Sequence, residues 1–262
     1  MIRTPLITVM VQAVRKAGRA LVRDFGEVEQ LQVSMKGPAD FVSNADRKAE
    51  EILHAELSKA RPAFGFLMEE RGRVDGADGL HEWVVDPLDG TTNFLHGIPM
   101  FAISVGLVKA GVPVAGVIFN PVSDELYVAE TGQGAFLNDR RIRVAARRKL
   151  LDAVVSCGLP HLGRGDHAQF NRELAAVQKQ VAGLRRTGAA SLDLAWVAAG
   201  RFDAFWERKL SPWDMAAGII LVREAGGFVS DMDDGDKMLE KGDILVGNEL
   251  IRRDLHKLLK AA

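Results

Sequence analysis

The stretch Glu82-Trp83-Val84-Val85-Asp86-Pro87-Leu88-Asp89-Gly90-Thr91-Thr92-Asn93-Phe94 decides the reading of this chain. Trp-Val-Val favours a strand, while proline interrupts pairing and Asp-Gly favours a turn. An apolar strand is therefore predicted to end on two carboxylates and to pass through Gly90 into a helical turn. Such a turn presents backbone N–H groups, which suit an anion.

Working outward, Phe64 to Met68 reads as a short strand leaving at Glu69-Glu70. A helix is predicted from about Ala45 to Ala60, led in by Ser43 or Asn44 and ended before Pro62. Downstream, Phe101–Val108, Val112–Phe119, Glu125–Glu130 and Gly134–Leu137 are β-rich and split by Gly, Pro and Asn, the pattern of an antiparallel meander. Past residue 150 the pattern alternates. Strands at Ala153–Cys157, near Leu184 and at Phe202–Trp206 are separated by helices near Ala168–Val181, Ala190–Ala199 and Pro212–Ala225. Gly226-Gly227 reads as a helix end followed by a strand. Residues 1–142 thus read as an α+β part and residues 143–262 as an α/β part, with no repeat or long linker between them.

Composition narrows the partners. Lys and Arg number 34 against 35 Asp and Glu, so no basic excess draws the chain to nucleic acid or to an anionic membrane. The lone Cys157 excludes an internal disulfide and a thiolate metal cluster and fits a reducing compartment. Arg15, Lys16, Arg19 and Arg23 interrupt the apolar N-terminus before it could span a bilayer, so the reading is a cytoplasmic protein opening with an amphipathic helix.

Glu69, Asp86, Asp89 and Asp214 each stand where a strand stops or a helix starts, the place where ligands gather at sheet edges. Converging carboxylates require a cation, and an all-oxygen donor set selects a hard ion such as Mg²⁺. With Gly90 and Thr91 facing it, a phosphoryl group could be held for attack by water. Each element also has a plainer reading. Asp89-Gly90 can close a hairpin, Asp46 and Asp214 can cap helices, and Glu69-Glu70 can end a strand in solvent.

The conjunction resembles the inositol monophosphatase family of Mg²⁺-dependent, lithium-sensitive sugar phosphatases. Asp86-Pro87-Leu88-Asp89-Gly90-Thr91-Thr92-Asn93-Phe94 is its most specific element, preceded by Glu69-Glu70 and followed by Trp213-Asp214-Met215-Ala216-Ala217-Gly218 and by Gly226-Gly227. Arg186-Thr187-Gly188-Ala189-Ala190-Ser191-Leu192-Asp193, with Ala198-Ala199-Gly200-Arg201-Phe202-Asp203 after it, is similar to bacterial members. The resemblance implies a layered α-β-α-β-α sandwich of the inositol monophosphatase and fructose-1,6-bisphosphatase type. It implies one Mg²⁺ on Glu69, Asp86 and the Leu88 carbonyl, a second on Asp86, Asp89 and Asp214, and a third, weaker ion near Glu69. Mn²⁺ is the expected substitute and Li⁺ the expected inhibitor. Asp46, Thr91 and Glu69 are the implied catalytic residues, with Asp46 orienting the Thr91 hydroxyl toward the attacking water. Gly90 and Thr91 would bind phosphate, while Asp89, Gly188, Ala189, Ala190, Glu207 and Asp214 would meet the polyol. Arg71 departs from the pattern, because a serine is frequent there, and Ser211 lies where animal members differ.

The leading expectation is hydrolysis of myo-inositol 1-phosphate and similar polyol monophosphates by a homodimer. Fructose-1,6-bisphosphatase, histidinol-phosphatase and nucleotide 3′-phosphatase activity are alternatives on the same site. An alternative of another class is a regulatory protein that binds the transcription antitermination machinery through a protein partner.

Overall fold

The structure is a computed structural model that describes residues 3–27, 33–37, 40–161 and 163–262, with backbone alone at 33–37 and 40–43. Helix α1 (Pro5–Phe25) starts where Thr4 Oγ1 accepts the Ile7 amide at 3.2 Å and Pro5 takes the first helical position. A hairpin of β1 (Val33–Gly37) and β2 (Asp40–Ser43) leads into α2 (Asn44–Ala60). The first helical residue is Asn44, so the cap position falls on Ser43, whose side chain lies outside the described residues.

The larger sheet contains β3 (Gly65–Met68), β4 (Gly72–Val74), β5 (His81–Asp89), β6 (Ala102–Lys109), β7 (Val112–Asn120), β8 (Glu125–Glu130), β9 (Gly134–Leu137) and β10 (Arg140–Ile142). Its order is β10-β9-β8-β7-β6-β5-β3-β4, so the expected meander is present from β6 to β9. Every pairing in it is antiparallel except β3 with β5. Between β5 and β6 lies α3 (Thr91–Leu95), the short turn foreseen after Gly90.

The smaller sheet has the order β12-β11-β13-β15-β14, built from β11 (Val154–Cys157), β12 (Gly183–Arg185), β13 (Ala204–Glu207), β14 (Phe228–Ser230) and β15 (Ile244–Gly247). Between its strands run α4 (His167–Gln178), α5 (Ala190–Ala198), α6 (Pro212–Glu224) and α7 (Met238–Lys241), and α8 (Glu249–Ala261) closes the chain.

Sequence pattern assigns each helix its layer. A helix apolar on every side must be covered on every side. The run Met215 to Val222 in α6 and most of α5 are buried, and together they form the middle layer, packed on one face by Ile118 and Tyr127 of the large sheet and on the other by Phe205 and Val246 of the small one. Helices α1 and α2 carry a single apolar stripe and cover the outer face of the large sheet around Trp83, Val105 and Val117. In α8, Ile251, Leu255 and Leu259 recur every four residues and close over Trp206 on the far face of the small sheet. The result is α-β-α-β-α, as the resemblance implied.

The middle layer needs close approach at one point. Gly106 and Gly116 are partners across β6 and β7, and α6 lies directly on them. A Cβ on Gly116 would stand 2.7 Å from the Ala217 carbonyl oxygen and 2.8 Å from Ala217 Cα, which are backbone atoms that cannot swing aside. Gly116→Val is therefore expected to destabilise the fold by about 2–3 kcal/mol through overpacking. Urea denaturation followed by tryptophan fluorescence checks this, and an unchanged midpoint would refute the close-packed α6 contact.

Candidate active site

Because β3 and β5 are parallel, their carboxyl ends meet at one edge of the sheet. Met68 pairs with Val85, and the Glu69 amide donates to the Val85 carbonyl at 3.2 Å, so Glu69 and Asp86 follow side by side. Sequence alone did not reveal this pairing, because intervening β4 turns back on β3 in antiparallel fashion.

Asp86 is 2% exposed, on a strand that then breaks register. Asp86 faces Ser104 of β6 and Asp89 faces Ala102, leaving three steps on β5 opposite two on β6. Pro87, which lacks an N–H to pair, fits such a bulge. The Leu88 amide folds back to Asp86 Oδ1 at 2.9 Å, which fixes that carboxyl. Ser104 also donates from Oγ to the Trp213 carbonyl at 3.2 Å, seating the start of α6 against the same strand end. Asp214 follows immediately, accepts the Ser211 amide at 2.7 Å with Oδ2, and lies close enough to Asp86 for its charge to raise that carboxyl. The capping role and the convergence on Asp86 both belong to Asp214.

Gly90 has φ 92°, a conformation that glycine adopts without strain, and a Cβ there would meet the Met100 carbonyl oxygen at 2.9 Å. Thr91 then opens α3. Its hydroxyl donates toward Asp46 Oδ1 at 3.1 Å and toward the Leu88 carbonyl at 3.0 Å, so the fully buried Asp46 on α2 reaches the turn as expected. Asn93 ties the turn to the second half of the chain, donating to the carbonyls of Met100 at 2.6 Å and Thr187 at 2.9 Å.

Asp89 joins the halves from the other side. Its Oδ2 accepts from the Ser191 amide at 2.7 Å and from Ser191 Oγ at 2.5 Å, at the start of α5. Gly188, Ala189 and Ala190 lie beside it on an open cleft of about 300 Å³ that is also lined by Gly90, Thr91, Asp193, Glu207 and Asp214. Glu207 ends β13, and its carboxyl lies so close over Gly158 that a Cβ there would have to displace it. The cleft thus gathers Asp89, Gly90, Thr91, Gly188, Ala189, Ala190, Glu207 and Asp214, with Asp86 behind them and Glu69 beside Asp86.

Three further residues matter here that sequence reasoning left without a role. Ser191 fixes Asp89. Asp193 is buried on α5 and accepts from Thr187 Oγ1 at 2.6 Å. Glu50, one turn after Asp46, accepts the Glu70 amide at 2.8 Å. The available signal was spacing, since Asp46 and Glu50 share a helix face at i and i+4.

Burial dominates the electrostatics. It raises Asp86 well above the ordinary carboxylate range, with the charges of Glu69, Asp89 and Asp214 adding to the rise. Burial likewise raises Asp89 to about 6, against the lowering effect of Ser191. Asp214 is raised to about 7 by burial and then by Asp89. Asp193 rises to about 8, and Glu207 well above 4.5, both chiefly through burial. Among the described residues, no three Asp, Glu, His or Cys side chains are already closed to coordination distance. The donor set is nevertheless all oxygen, and its mutual repulsion is what a dication would relieve, so Glu69, Asp86, Leu88 O, Asp89 and Asp214 fit a hard metal ion.

Comparison with known proteins agrees with this architecture. Residues 2–262 match the model of the inositol monophosphatase family. The chain is 65% identical to an inositol-1-monophosphatase of Mesorhizobium japonicum over 99% of its own length and 98% of the relative's. It is 44% identical to the Nus factor SuhB of Pseudomonas aeruginosa, covering 93% of this chain and 92% of that one. A crystal structure of the extragenic suppressor protein suhB from Bartonella henselae superposes with a TM-score of 0.96 at 60% identity, covering 98% of this chain and 99% of that one. Fold and site define an enzyme of the phosphatase class. The chain belongs to the inositol monophosphatase family.

Raised carboxyls make the site a source of instability when no cation is present. With folded pKa values of about 6 and 7 against an ordinary 3.8, Asp89 and Asp214 bind extra protons in the fold between about pH 4 and 7. Their favourable contribution is complete below pH 4 and is lost as pH rises through 7. In chelator, Asp214→Asn is expected to melt several degrees above the unaltered protein at pH 8 and to show no such gain at pH 4. Scanning fluorimetry across pH checks this; a gain independent of pH would contradict it.

Proposed function

We propose that this chain is a Mg²⁺-dependent phosphomonoesterase that converts myo-inositol 1-phosphate and similar polyol monophosphates to polyol and phosphate by direct attack of water. The observation that carries this reading is the meeting of Glu69, Asp86 and Asp214 at one strand end beside the Gly90–Thr91 turn. Two or three ions would be held by Glu69, Asp86, the Leu88 carbonyl, Asp89 and Asp214. When bound, Mg²⁺ supplies positive charge for the phosphoryl oxygens and the leaving alkoxide and acidifies water. Mn²⁺ is the expected substitute and Li⁺ the expected inhibitor.

The chain's own groups handle position and protons. Thr91 directs its one hydroxyl hydrogen toward Asp46 and Leu88 O, which leaves its lone pairs for a proton of the attacking water. Asp46 can then take the hydroxyl proton, so that the pair acts as a base beside Glu69. The amides of Gly90 and Thr91 suit the phosphate oxygens. At the far end of the cleft Glu207, with its pKa raised, can both donate to and accept from a polyol hydroxyl. Asp89, Asp214 and residues 188–190 complete the wall that meets the leaving group.

Arg164 and Arg186 line the same cleft and favour a second reading, in which a substrate such as fructose-1,6-bisphosphate offers them a further phosphate. Likeness to Nus factors supports a reading of another class, a regulatory protein that binds the transcription antitermination machinery. The lone, buried Cys157 suits the reducing cytoplasm proposed as the location.

Phosphate release from inositol 1-phosphate, fructose-1,6-bisphosphate, histidinol phosphate and a nucleotide 3′-phosphate, with Mg²⁺ or with chelator, tests these readings together. Inositol 1-phosphate is expected to turn over fastest, and only with the metal. Asp86→Asn is expected to lower kcat about a thousandfold or more. Substantial turnover by that variant would overturn the assignment. Rescue of a deletion strain by it would favour the regulatory reading.

A further inference from the structure

Helix α2 touches the site at two places one turn apart. Asp46 meets Thr91 at the phosphate-facing turn. Glu50, which is 1% exposed, meets the acidic turn, where its Oε2 accepts the Glu70 amide at 2.8 Å and its Oε1 lies 3.5 Å from Arg71 Nε. Arg71 Nη2 also reaches Glu51 Oε1 at 3.7 Å, so the guanidinium lies across the rim of α2.

We propose that Glu50 and Arg71 form a clasp that sets the turn carrying Glu69 at a fixed distance from Asp46 and Thr91, and so positions Glu69 for a divalent cation. Four residues of α-helix advance about 6 Å, and a helix is far stiffer than the two turns it touches. The register between the acidic turn and the phosphate-facing turn is thereby copied from the register of α2. A carboxylate suits position 50 because one oxygen accepts the Glu70 amide while the other, without a hydrogen-bond donor of its own, lies in ion-pair range of the guanidinium. Glu50 touches neither substrate nor metal in this arrangement. It is a positioning residue, acting through the backbone next to Glu69.

The inference rests on Glu69 facing the cation, and the experiment separates the two claims. Mn²⁺ is titrated into the substrate-free full chain, and free Mn²⁺ is read by electron paramagnetic resonance. Glu50→Ala is expected to weaken Mn²⁺ binding about tenfold or more, the usual effect of removing a group that orients a ligand. Glu50→Gln, which keeps an oxygen for the Glu70 amide, is expected to recover most of that loss. Arg71→Ala changes only a solvent-facing side chain and is expected to weaken binding severalfold without altering the melting temperature. At saturating cation, KM for the phosphate ester stays unchanged in all three, which a general loosening of the fold would not leave intact. Wild-type Mn²⁺ affinity in Arg71→Ala, or in a folded Glu50→Ala, overturns the clasp alone. Absence of Mn²⁺ binding by the unaltered protein overturns the reading of Glu69 and the clasp with it.

Discussion

Like charges brought together out of water are the constraint on which this structure turns. Asp86 is almost fully buried, and Glu69, Asp89 and Asp214 all raise its pKa. Such an arrangement opposes folding unless the repulsion is relieved by protons or by a cation. Protons relieve it at low pH, as the raised values of Asp89 and Asp214 show. As pH rises through about 7, Asp89 and then Asp214 lose their protons, and the repulsion that remains is of the kind a dication would relieve. Were an ion held there, its binding and the stability of this edge would be one equilibrium, because whatever favours the ion also favours the closed arrangement of strands that presents the carboxyls.

The surrounding architecture keeps the acids together despite that opposition. Parallel pairing of β3 with β5 places two of them side by side. The bulge at Pro87 and Leu88 turns Asp89 off the strand and toward α5. Paired glycines on β6 and β7 let α6 approach until Asp214 stands within electrostatic reach of Asp86. No one of these devices suffices. Each brings a single carboxyl to a place fixed by backbone contacts, and backbone geometry is what resists electrostatic spreading.

The legible part of this design was the part written in local pattern. The meander, the alternating second half and the strand that ends on Asp86 and Asp89 all follow from short runs of β-branched residues punctuated by Gly, Pro and Asn. The helix at Pro212 to Ala225 was legible as well, with Asp214 marking its start. The roles of Ser191 and Glu50 were not legible, because each depends on a partner far along the chain: Ser191 meets Asp89 across 102 positions, and Glu50 meets Glu70 across 20. Nothing in the spacing of Glu69 and Asp86 announces a parallel pair, since a short antiparallel strand intervenes between them. The part proposed for Asp46 came from family resemblance, and the structure shows its contact with Thr91.

Division of labour in the cleft follows from which groups are held by backbone and which by solvent-facing loops. At the end proposed to take phosphate, Gly90, Thr91 and Asp86 are fixed by amides, carbonyls and strand pairing, so the geometry of that end hardly varies. At the other end, Glu207 leans over Gly158, and the exposed Arg164 and Arg186 complete the rim. A change of a few rim side chains would alter which leaving group is accepted without disturbing the carboxylate cluster, because no strand pairing ties the two ends. Asp89 and Asp214 are the exceptions. Both belong to the acidic cluster and both line the cleft, and Asp89 in addition anchors the start of α5 through Ser191, next to Gly188, Ala189 and Ala190. On the function proposed above, a cation drawing these carboxyls together would also pull on the wall that meets the leaving group, and would do so only while the two sheets are packed against their shared helices.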